Sequence, residues 1–221
     1  MKPEELAKKI DHTLLKADAS RRDLRKLCDE ALKYGFHAVC VNPFRVPFCI
    51  GRLKGSGVKI CSVVGFPLGA TTPELKVGEA RAVAELGVDE IDYVVNIGAV
   101  KDGDLELVKE EMFGLLDAAR PYKILIKAIV EVPLLTLQEL RSVCKVLDGV
   151  DFLKTSTGFH RPVTVEDVKL LRRFAPSGVK VKAAGGIRSH AQAVDLIKAG
   201  ADRLGSSRSV DLLRPRRPRM I

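Results

Sequence analysis

Hydrophobic and polar positions follow one pattern at four places in the chain. In each place a helix-like stretch ends at a glycine and a short apolar run follows at once; the glycines are Gly35, Gly87, Gly149 and Gly200. Glycine suits the left-handed backbone position that ends many helices. The pattern predicts four helix-to-strand transitions about fifty to sixty residues apart, and each interval has room for two strand–helix units.

Four further apolar runs lie between these transitions and predict four more strands, at residues 10–15, 59–65, 124–130 and 179–184. Eight strands that alternate with helices predict the α/β class with a parallel sheet. In a chain of 221 residues, this number of units predicts a (β/α)8 TIM barrel of eight parallel strands with a short N-terminal helix. An open doubly wound sheet is the alternative, but eight evenly spaced units favour a closed barrel.

Helix starts are marked by side chains that can cap the backbone. Residues 136–139 and 189–192 have the capping-box pattern, in which the first and fourth side chains bond each other's backbone N–H groups. Behind the first box, apolar residues from Leu137 through Leu140 to Leu147 recur at helical spacing. We expect this apolar stripe to pack against the barrel.

Composition narrows the range of functions. The apolar fraction is 46% and the charged fraction 29%, as in ordinary soluble domains, so we predict one barrel domain at residues 1–213 and a basic tail at 214–221. No apolar run reaches the length of a membrane span and no signal-peptide core is present, which predicts a cytoplasmic protein without a membrane partner. Much of the net charge of +9 lies in the tail, and aromatic residues are only 5%, so we expect no nucleic-acid partner.

Cysteine and histidine usage predicts neither disulfides nor a metal site. The five cysteines are scattered without CxxC pairs, and the four histidines lack the spacing of metal ligands. We expect the cysteines to be small buried side chains or free thiols.

Lys154 is the most unusual residue, because it lies in a run that otherwise has the pattern of a buried strand. An unpartnered buried ammonium is costly and tends to lose its proton, and a neutral amine attacks carbonyl groups to form a Schiff base. A lysine whose head group reaches solvent at a strand end is the alternative. The fifth residues after the four repeat glycines are Cys40, Asp92, Lys154 and Gly205. Alternate strands of such a barrel share one inner layer, so Asp92 and Lys154 are predicted to face each other.

Two further lysines are predicted to lie near this pair. Lys182 is on the seventh strand, and two neighbouring ammonium groups repel, which favours the neutral form of one of them. Lys127, on the fifth strand, either adds to this positive field or pairs with Asp92 or Glu131.

The ends of the last two strands have features of a phosphate site. Gly185 and Gly186 follow the seventh strand, Gly205, Ser206 and Ser207 end the eighth, and Arg188 is nearby. In these barrels, backbone N–H groups of the last two loops commonly bind phosphate. Glycine pairs alone are weak evidence, but two such turns at these strands favour a phosphorylated ligand. Three residues on other strands, Asp11, Cys40 and Asn42, are further candidates to line the pocket.

Several segments together resemble the deoxyribose-phosphate aldolase family. They are DHTLL at 11–15, SVVGFPLG at 62–69, EID at 90–92, KTSTGF at 154–159, KAAGGIR at 182–188 and GSS at 205–207. The resemblance runs from about residue 5 to residue 213. It implies a class I aldolase without a cofactor, on a (β/α)8 barrel, that interconverts 2-deoxy-D-ribose 5-phosphate with acetaldehyde and D-glyceraldehyde 3-phosphate in deoxyribose phosphate catabolism. The substrates would then be small phosphorylated sugars and aldehydes, and a homodimer or homotetramer is expected.

The resemblance also implies residue roles. Lys154 is the expected Schiff-base lysine, with Asp92 and Lys182 as the proton-transfer pair. Substrate-binding roles are expected for Asp11, Cys40, Asn42, Lys127 and Thr157. Phosphate-binding roles are expected for Gly158, Gly185, Gly186, Arg188, Gly205, Ser206 and Ser207. Some members of the family have a C-terminal tyrosine that reaches the site, whereas this chain has Arg-Pro repeats and Ile221 there.

Two other functions are consistent with parts of the sequence. Another phosphate-binding barrel enzyme, such as a lyase or isomerase, shares the glycine turns but does not require two converging lysines. A nucleic-acid binder depends on the basic tail alone, and its binding would be strongly salt-dependent.

Overall fold

The chain folds into a closed barrel of eight parallel strands, as predicted. The computed structural model describes residues 1–214. Each strand pairs with its neighbours in chain order, and the last pairs with the first. The strands are β1 (Ile10–Leu14), β2 (Ala38–Val41), β3 (Lys59–Val64), β4 (Glu90–Val94), β5 (Leu125–Ile129), β6 (Phe152–Lys154), β7 (Lys180–Ala184) and β8 (Arg203–Ser206).

Helices surround the barrel, and a short one precedes the first strand. They are α1 (Pro3–Ala7), α2 (Arg21–Tyr34), α3 (Val46–Leu53), α4 (Pro73–Glu85), α5 (Ile97–Asp102), α6 (Leu105–Ala119), α7 (Leu137–Val146), α8 (Val165–Phe174), α9 (His190–Lys198) and α10 (Ser209–Leu212). Among residues 1–214, none of these helices has the length and apolar character needed to cross a membrane. The predicted basic tail lies outside the described residues, apart from Arg214.

The repeated glycine pattern marks helix-to-strand transitions, as predicted. Gly35 ends α2 in the left-handed conformation, with φ of 65°, and its N–H bonds the carbonyl of Ala31. The fifth residues after the four glycines lie on β2, β4, β6 and β8. The repeat therefore brings four equivalent strand positions into one barrel.

Two details of the helix predictions are wrong. The capping box that begins α7 is complete, but Gln192 accepts a hydrogen bond from the N–H of Arg188, so only the Ser189 half of the second box forms. Leu137 is 58% exposed, whereas Leu140 and Leu147 are buried. Leu137 is the first residue of α7, so the buried part of the stripe begins one turn later, at Leu140.

The helix layer contains one fully buried ion pair. Lys76 on α4 places its Nζ 2.6 Å from Oε1 of Glu111 on α6, and both side chains are inaccessible to solvent. Glu111 also accepts a hydrogen bond from the N–H of Asn96, just beyond β4. The pair ties two helices to a loop at the C-terminal end of the barrel.

Candidate active site

Lys154 is the last residue of β6 and is buried, with 3% of its surface exposed. Its Nζ donates a hydrogen bond of 2.8 Å to Oδ2 of Asp92 on β4. The amine also lies 6.0 Å from the centre of the Phe66 ring. The side chain is therefore enclosed within the barrel, which excludes the alternative of a lysine that extends into solvent.

Asp92 accepts hydrogen bonds from three lysines. Lys127 donates to Oδ1 at 2.7 Å, and Lys154 and Lys182 donate to Oδ2 at 2.8 and 2.7 Å. Strand register explains the convergence, because Asp92 is level with Lys127 across β4 and β5, and Lys154 is level with Lys182 across β6 and β7. Of the two partners considered for Lys127, Asp92 is correct, whereas Glu131 accepts the N–H of Thr157 instead.

The surrounding charges decide how these groups ionise. Burial opposes ionisation of Asp92, but attraction by the three lysines outweighs it and holds the pKa of Asp92 well below its usual value. Burial also disfavours the charge on Lys182, but Asp11 and Asp92 attract it and raise the pKa of Lys182 above its usual value. Lys182 therefore remains an ammonium and Asp92 a carboxylate at neutral pH.

Two residues that the sequence pattern did not single out lie beneath these groups. Glu90 is two residues before Asp92 on β4, and Arg203 is two residues before Gly205 on β8. Side chains alternate along a strand, so residues two apart point the same way, and both enter the barrel. Strand periodicity was the signal that could have identified them.

Six side chains form a closed ring of alternating charge inside the barrel, which we call the charge ring. In order around the ring they are Glu90, Lys127, Asp92, Lys182, Asp11 and Arg203. Lys127 Nζ lies 2.7 Å from both Glu90 and Asp92. Lys182 Nζ lies 2.7 Å from Asp92 and 2.5 Å from Asp11, the latter an ion pair without hydrogen-bond geometry. Arg203 Nη1 lies 2.9 Å from Asp11 and 3.3 Å from Glu90.

Two thiols lie beside Asp92. Cys61 Sγ donates to Asp92 Oδ1 at 3.2 Å and accepts from Lys127 at 3.4 Å. The possible ligand atoms of Cys40, Cys61 and Asp92 lie within 4.8 Å of one another. A metal ion there would have to displace lysine ammonium groups from both oxygens of Asp92, so the positive surroundings disfavour cation binding.

A cleft of about 750 Å³ opens next to Lys154. Several predicted binding residues line it with Lys154, namely Thr157, Gly158, Gly185, Gly186, Arg188, Gly205, Ser206 and Ser207. Phe66 and Phe159 also line the cleft, and their rings meet edge to face with centres 5.7 Å apart. The loops after β6, β7 and β8 thus meet at one cleft.

Close packing explains the glycines at the end of β7. A Cβ atom on Gly185 would lie 2.8 Å from Ser156 Oγ, and one on Gly186 would lie 2.9 Å from Pro162. Ser206 donates its hydroxyl proton to the carbonyl of Ile187 at 3.0 Å, so this proton is already used within the protein. Arg188 and Ser207 are exposed side chains that can donate to a ligand.

The remaining predicted pocket residues do not line the cleft. Asp11 and Lys127 belong to the charge ring, and Cys40 is buried in the barrel. Asn42 precedes the 3-10 turn at Pro43–Arg45 and is half-buried. The structure thus separates a solvent-facing cleft from an ionic interior, and Lys154 contacts both.

Sequence comparison identifies the relatives of this chain. No protein-family model matches it. A deoxyribose-phosphate aldolase of Aciduliprofundum boonei is 50% identical over 216 residues, which are 96% of this chain and 97% of the relative. The chain belongs to the deoxyribose-phosphate aldolase family. A second aldolase, of Caldicellulosiruptor saccharolyticus, is 47% identical over 217 residues, which are 96% of this chain and 99% of the relative.

A solved deoxyribose phosphate aldolase has the same fold. The protein from Aeropyrum pernix, described as a tetramer, is 39% identical and superposes with a TM-score of 0.90 over 96% of this chain and 90% of its own. The family resemblance of the sequence motifs is therefore confirmed.

Proposed function

We propose that this member of the deoxyribose-phosphate aldolase family reversibly cleaves 2-deoxy-D-ribose 5-phosphate into acetaldehyde and D-glyceraldehyde 3-phosphate, through a Schiff base on Lys154. The observation that carries the proposal is the buried Lys154 amine, which borders the cleft and shares a carboxylate oxygen with Lys182. Lys182 has a second carboxylate partner in Asp11. Lys154 is therefore the amine better suited to lose its proton and act as the nucleophile.

The reaction begins when the neutral Lys154 amine attacks C1 of the open-chain aldehyde. The new carbinolamine takes up one proton, loses its hydroxyl group as water and becomes an iminium cation; hydrolysis at the end of the cycle releases that proton again. Asp92, which its lysine neighbours hold ionised, lies next to this cation and stabilises it. The iminium then acts as the electron sink for cleavage of the bond between C2 and C3.

Cleavage requires removal of the proton from the C3 hydroxyl group. That proton passes through a water molecule to the relay formed by Asp92 and Lys182. The C2–C3 electron pair moves into the iminium and forms an enamine, and C3 leaves as the aldehyde carbon of glyceraldehyde 3-phosphate. Such general acid–base assistance contributes roughly 10² to 10⁴ in rate.

The cycle closes by returning one proton to carbon. The relay delivers it to C2 of the enamine, which becomes an iminium again, and water hydrolyses this to acetaldehyde and free Lys154. One proton leaves the C3 hydroxyl and one reaches C2, so the relay ends in its starting state.

The phosphate group is assigned to the loops after β7 and β8. Gly185, Gly186, Gly205 and Ser207 offer backbone or hydroxyl donors, and Arg188 adds a positive charge at the cleft. Fixing the phosphate there holds C1 near Lys154, and such orientation lowers the barrier. Gly158 is assigned to the phosphate as well, and Thr157, between this end and Lys154, is assigned to the sugar chain.

The biological setting is proposed from the same relatives. The Aeropyrum pernix aldolase is described as a tetramer, which supports a homo-oligomer for this chain. A role in deoxyribose phosphate breakdown in the cytoplasm fits the proposed substrate. The chemistry proposed here uses protein side chains without a cofactor.

Covalent trapping tests the proposal. The protein is incubated with acetaldehyde and sodium borohydride, and modified peptides are mapped by mass spectrometry. We expect a reduced ethyl adduct on Lys154. Lys180, an exposed lysine two residues from Lys182, serves as the internal control for non-specific modification. An adduct spread over exposed lysines, or none at all, would rule out the Schiff base on Lys154.

A further inference from the structure

The charge ring is balanced without Lys154. It contains three cations, Lys127, Lys182 and Arg203, and three carboxylates, from Asp11, Glu90 and Asp92. Each cation contacts two carboxylates and each carboxylate contacts two cations of the ring. Lys154 adds a fourth basic group to this set but brings no carboxylate with it.

Charge balance therefore bears directly on the protonation of Lys154. Separating a net charge from water inside a protein is costly, and the group that can lose its charge most easily does so. Arg203 keeps its proton at all accessible pH values. Attraction to carboxylates raises the pKa of both Lys127 and Lys182. Of the four basic groups, Lys154 is therefore the one that loses its proton, and the barrel interior formed by Lys154 and the charge ring is then neutral.

We propose that Glu90 and Arg203, at the far end of the charge ring from the cleft, are positioning residues that set the protonation of Lys154 by fixing the net charge of the ring. This inference rests on the proposed Schiff-base function. Neither residue lines the cleft, so neither is expected to touch the substrate. Glu90 acts through Lys127 and Asp92, and Arg203 acts through Asp11, Lys182 and Asp92.

The groups that surround Lys154 are compatible with this effect of the ring's net charge on its protonation. Asp92 on β4, Lys182 on β7 and the thiol of Cys40 on β2 face the amine. Glu131, beyond β5, binds the N–H of Thr157 and forms no ion pair with Lys154 in the described part of the chain.

One titratable group contacts the ring from the other end of the barrel. His37 Nε2 lies 3.1 Å from Glu90 Oε1, and 30% of the His37 side chain is exposed. Protonation of His37 would add a positive charge to the ring. The test therefore uses a His37→Gln background, in which the side-chain amide still donates to Glu90 but does not titrate.

The inference predicts opposite effects for two substitutions. Arg203→Met leaves one excess carboxylate, which favours the ammonium form of Lys154, so activity should appear at higher pH. Glu90→Gln leaves one excess cation, which favours the neutral amine, so activity should appear at lower pH. A unit charge in the same protein interior, one or two ion pairs away, should shift the pH dependence by on the order of one pH unit.

The measurement is the pH dependence of kcat/KM for cleavage of 2-deoxy-D-ribose 5-phosphate, with borohydride trapping of acetaldehyde followed over the same pH range. The acid limb is the pH range over which kcat/KM rises from its low value in acid. It should move to higher pH for Arg203→Met and to lower pH for Glu90→Gln. The double variant, which removes one charge of each sign, should return the limb to the background position. Arg203→Lys, which keeps the charge, should leave it unmoved.

The buried pair of Lys76 and Glu111 supplies the matched control. Glu111→Gln also removes a buried carboxylate from an ion pair, but in the helix layer, so it should lower stability without moving the acid limb. If both single variants fold and their limbs stay in place or move together, the inference is wrong. If neither folds, the ring serves the fold alone and the inference is equally wrong. If the His37→Gln protein itself forms no reduced adduct at Lys154 with acetaldehyde and borohydride, the proposed function is wrong instead.

Discussion

Lys154 and Lys182 donate hydrogen bonds to the same atom, Oδ2 of Asp92, at 2.8 and 2.7 Å. They differ in their other partners. Lys182 also forms an ion pair with Asp11, whereas Lys154 approaches the Phe66 ring and the open cleft. The lysine with fewer anionic partners is therefore the one that borders the substrate space.

Replacing Lys154 should separate catalysis from folding. Lys154→Leu removes the nucleophile, so turnover should fall to background, while the charge ring stays complete and the free energy of unfolding should not decrease. Steady-state kinetics and denaturant unfolding measure the two quantities. Lys180→Leu, at an exposed position, should retain activity. Turnover close to that of the unmodified protein in Lys154→Leu would contradict the proposed chemistry.

Replacing Lys182 should move the pH dependence. Lys182→Leu removes a cation next to Lys154, which favours the ammonium form, so any remaining activity should appear at higher pH. The loss should also destabilise the fold by about 3–5 kcal/mol, because buried Asp11 and Asp92 lose a partner. The pH profile of kcat/KM and denaturant unfolding are the measurements. An unmoved profile in folded Lys182→Leu would remove Lys182 from this role.

Phosphate recognition should be separable from imine chemistry. Arg188→Ala removes a donor from the cleft, and Ser207→Glu places a negative charge there. Each should lower kcat/KM for 2-deoxy-D-ribose 5-phosphate by roughly tenfold or more, the size of a hydrogen bond to a charged group. Activity on unphosphorylated deoxyribose should change little. Arg173→Ala, at an exposed position of α8, should affect neither substrate. Equal losses on both substrates would contradict the phosphate assignment.

Acid should destabilise the protein through the ring carboxylates. The lysines and Arg203 outweigh burial and hold the pKa of Asp92 and of Glu90 below their usual values. The unfolded chain then takes up protons at a higher pH than the folded one, so these carboxylates contribute stability above about pH 4 that is lost as pH falls further. Denaturant unfolding between about pH 6 and pH 3 should show this loss.

The control for the acid effect is a carboxylate outside the barrel. Glu90→Gln should show a smaller loss of stability between the same two pH values, because one of the shifted groups is gone. Glu106→Gln, at an exposed side chain, should follow the unmodified protein. If Glu90→Gln loses as much stability as the unmodified protein, Glu90 does not contribute to the acid effect.

Much of the fold and part of the site could be predicted from the sequence. The glycine-to-strand repeat and the apolar runs between its members predicted the eight strands, and the four runs given bounds differ from β1, β3, β5 and β7 by at most one residue at either end. Because equivalent strand positions share a layer, the repeat also predicted that Asp92 and Lys154 face each other, and they are in contact. These predictions succeed because both depend on local periodicity.

The charge ring could not be predicted in the same way. Periodicity alone directs Glu90 and Arg203 inward, but their contact joins β4 to β8 across the barrel. Which side chains meet across the interior depends on the stagger and tilt of the closed barrel, which no local pattern encodes. The choice of Asp92 over Glu131 as the partner of Lys127 has a different origin, because Asp92 is level with Lys127 on the neighbouring strand. Glu131 lies beyond the end of β5 with φ of 51°, where strand alternation no longer applies.

The ionic interior of this barrel also has a thermal consequence. Inner layers of such barrels are usually filled by branched apolar side chains, whose burial gives unfolding its large heat capacity change. Here the six charged side chains of the ring occupy part of those layers, and the penalty for removing charges from water becomes smaller as temperature rises. The desolvation penalty of the ring is therefore largest in the cold and smallest in the heat, which flattens the temperature dependence of stability.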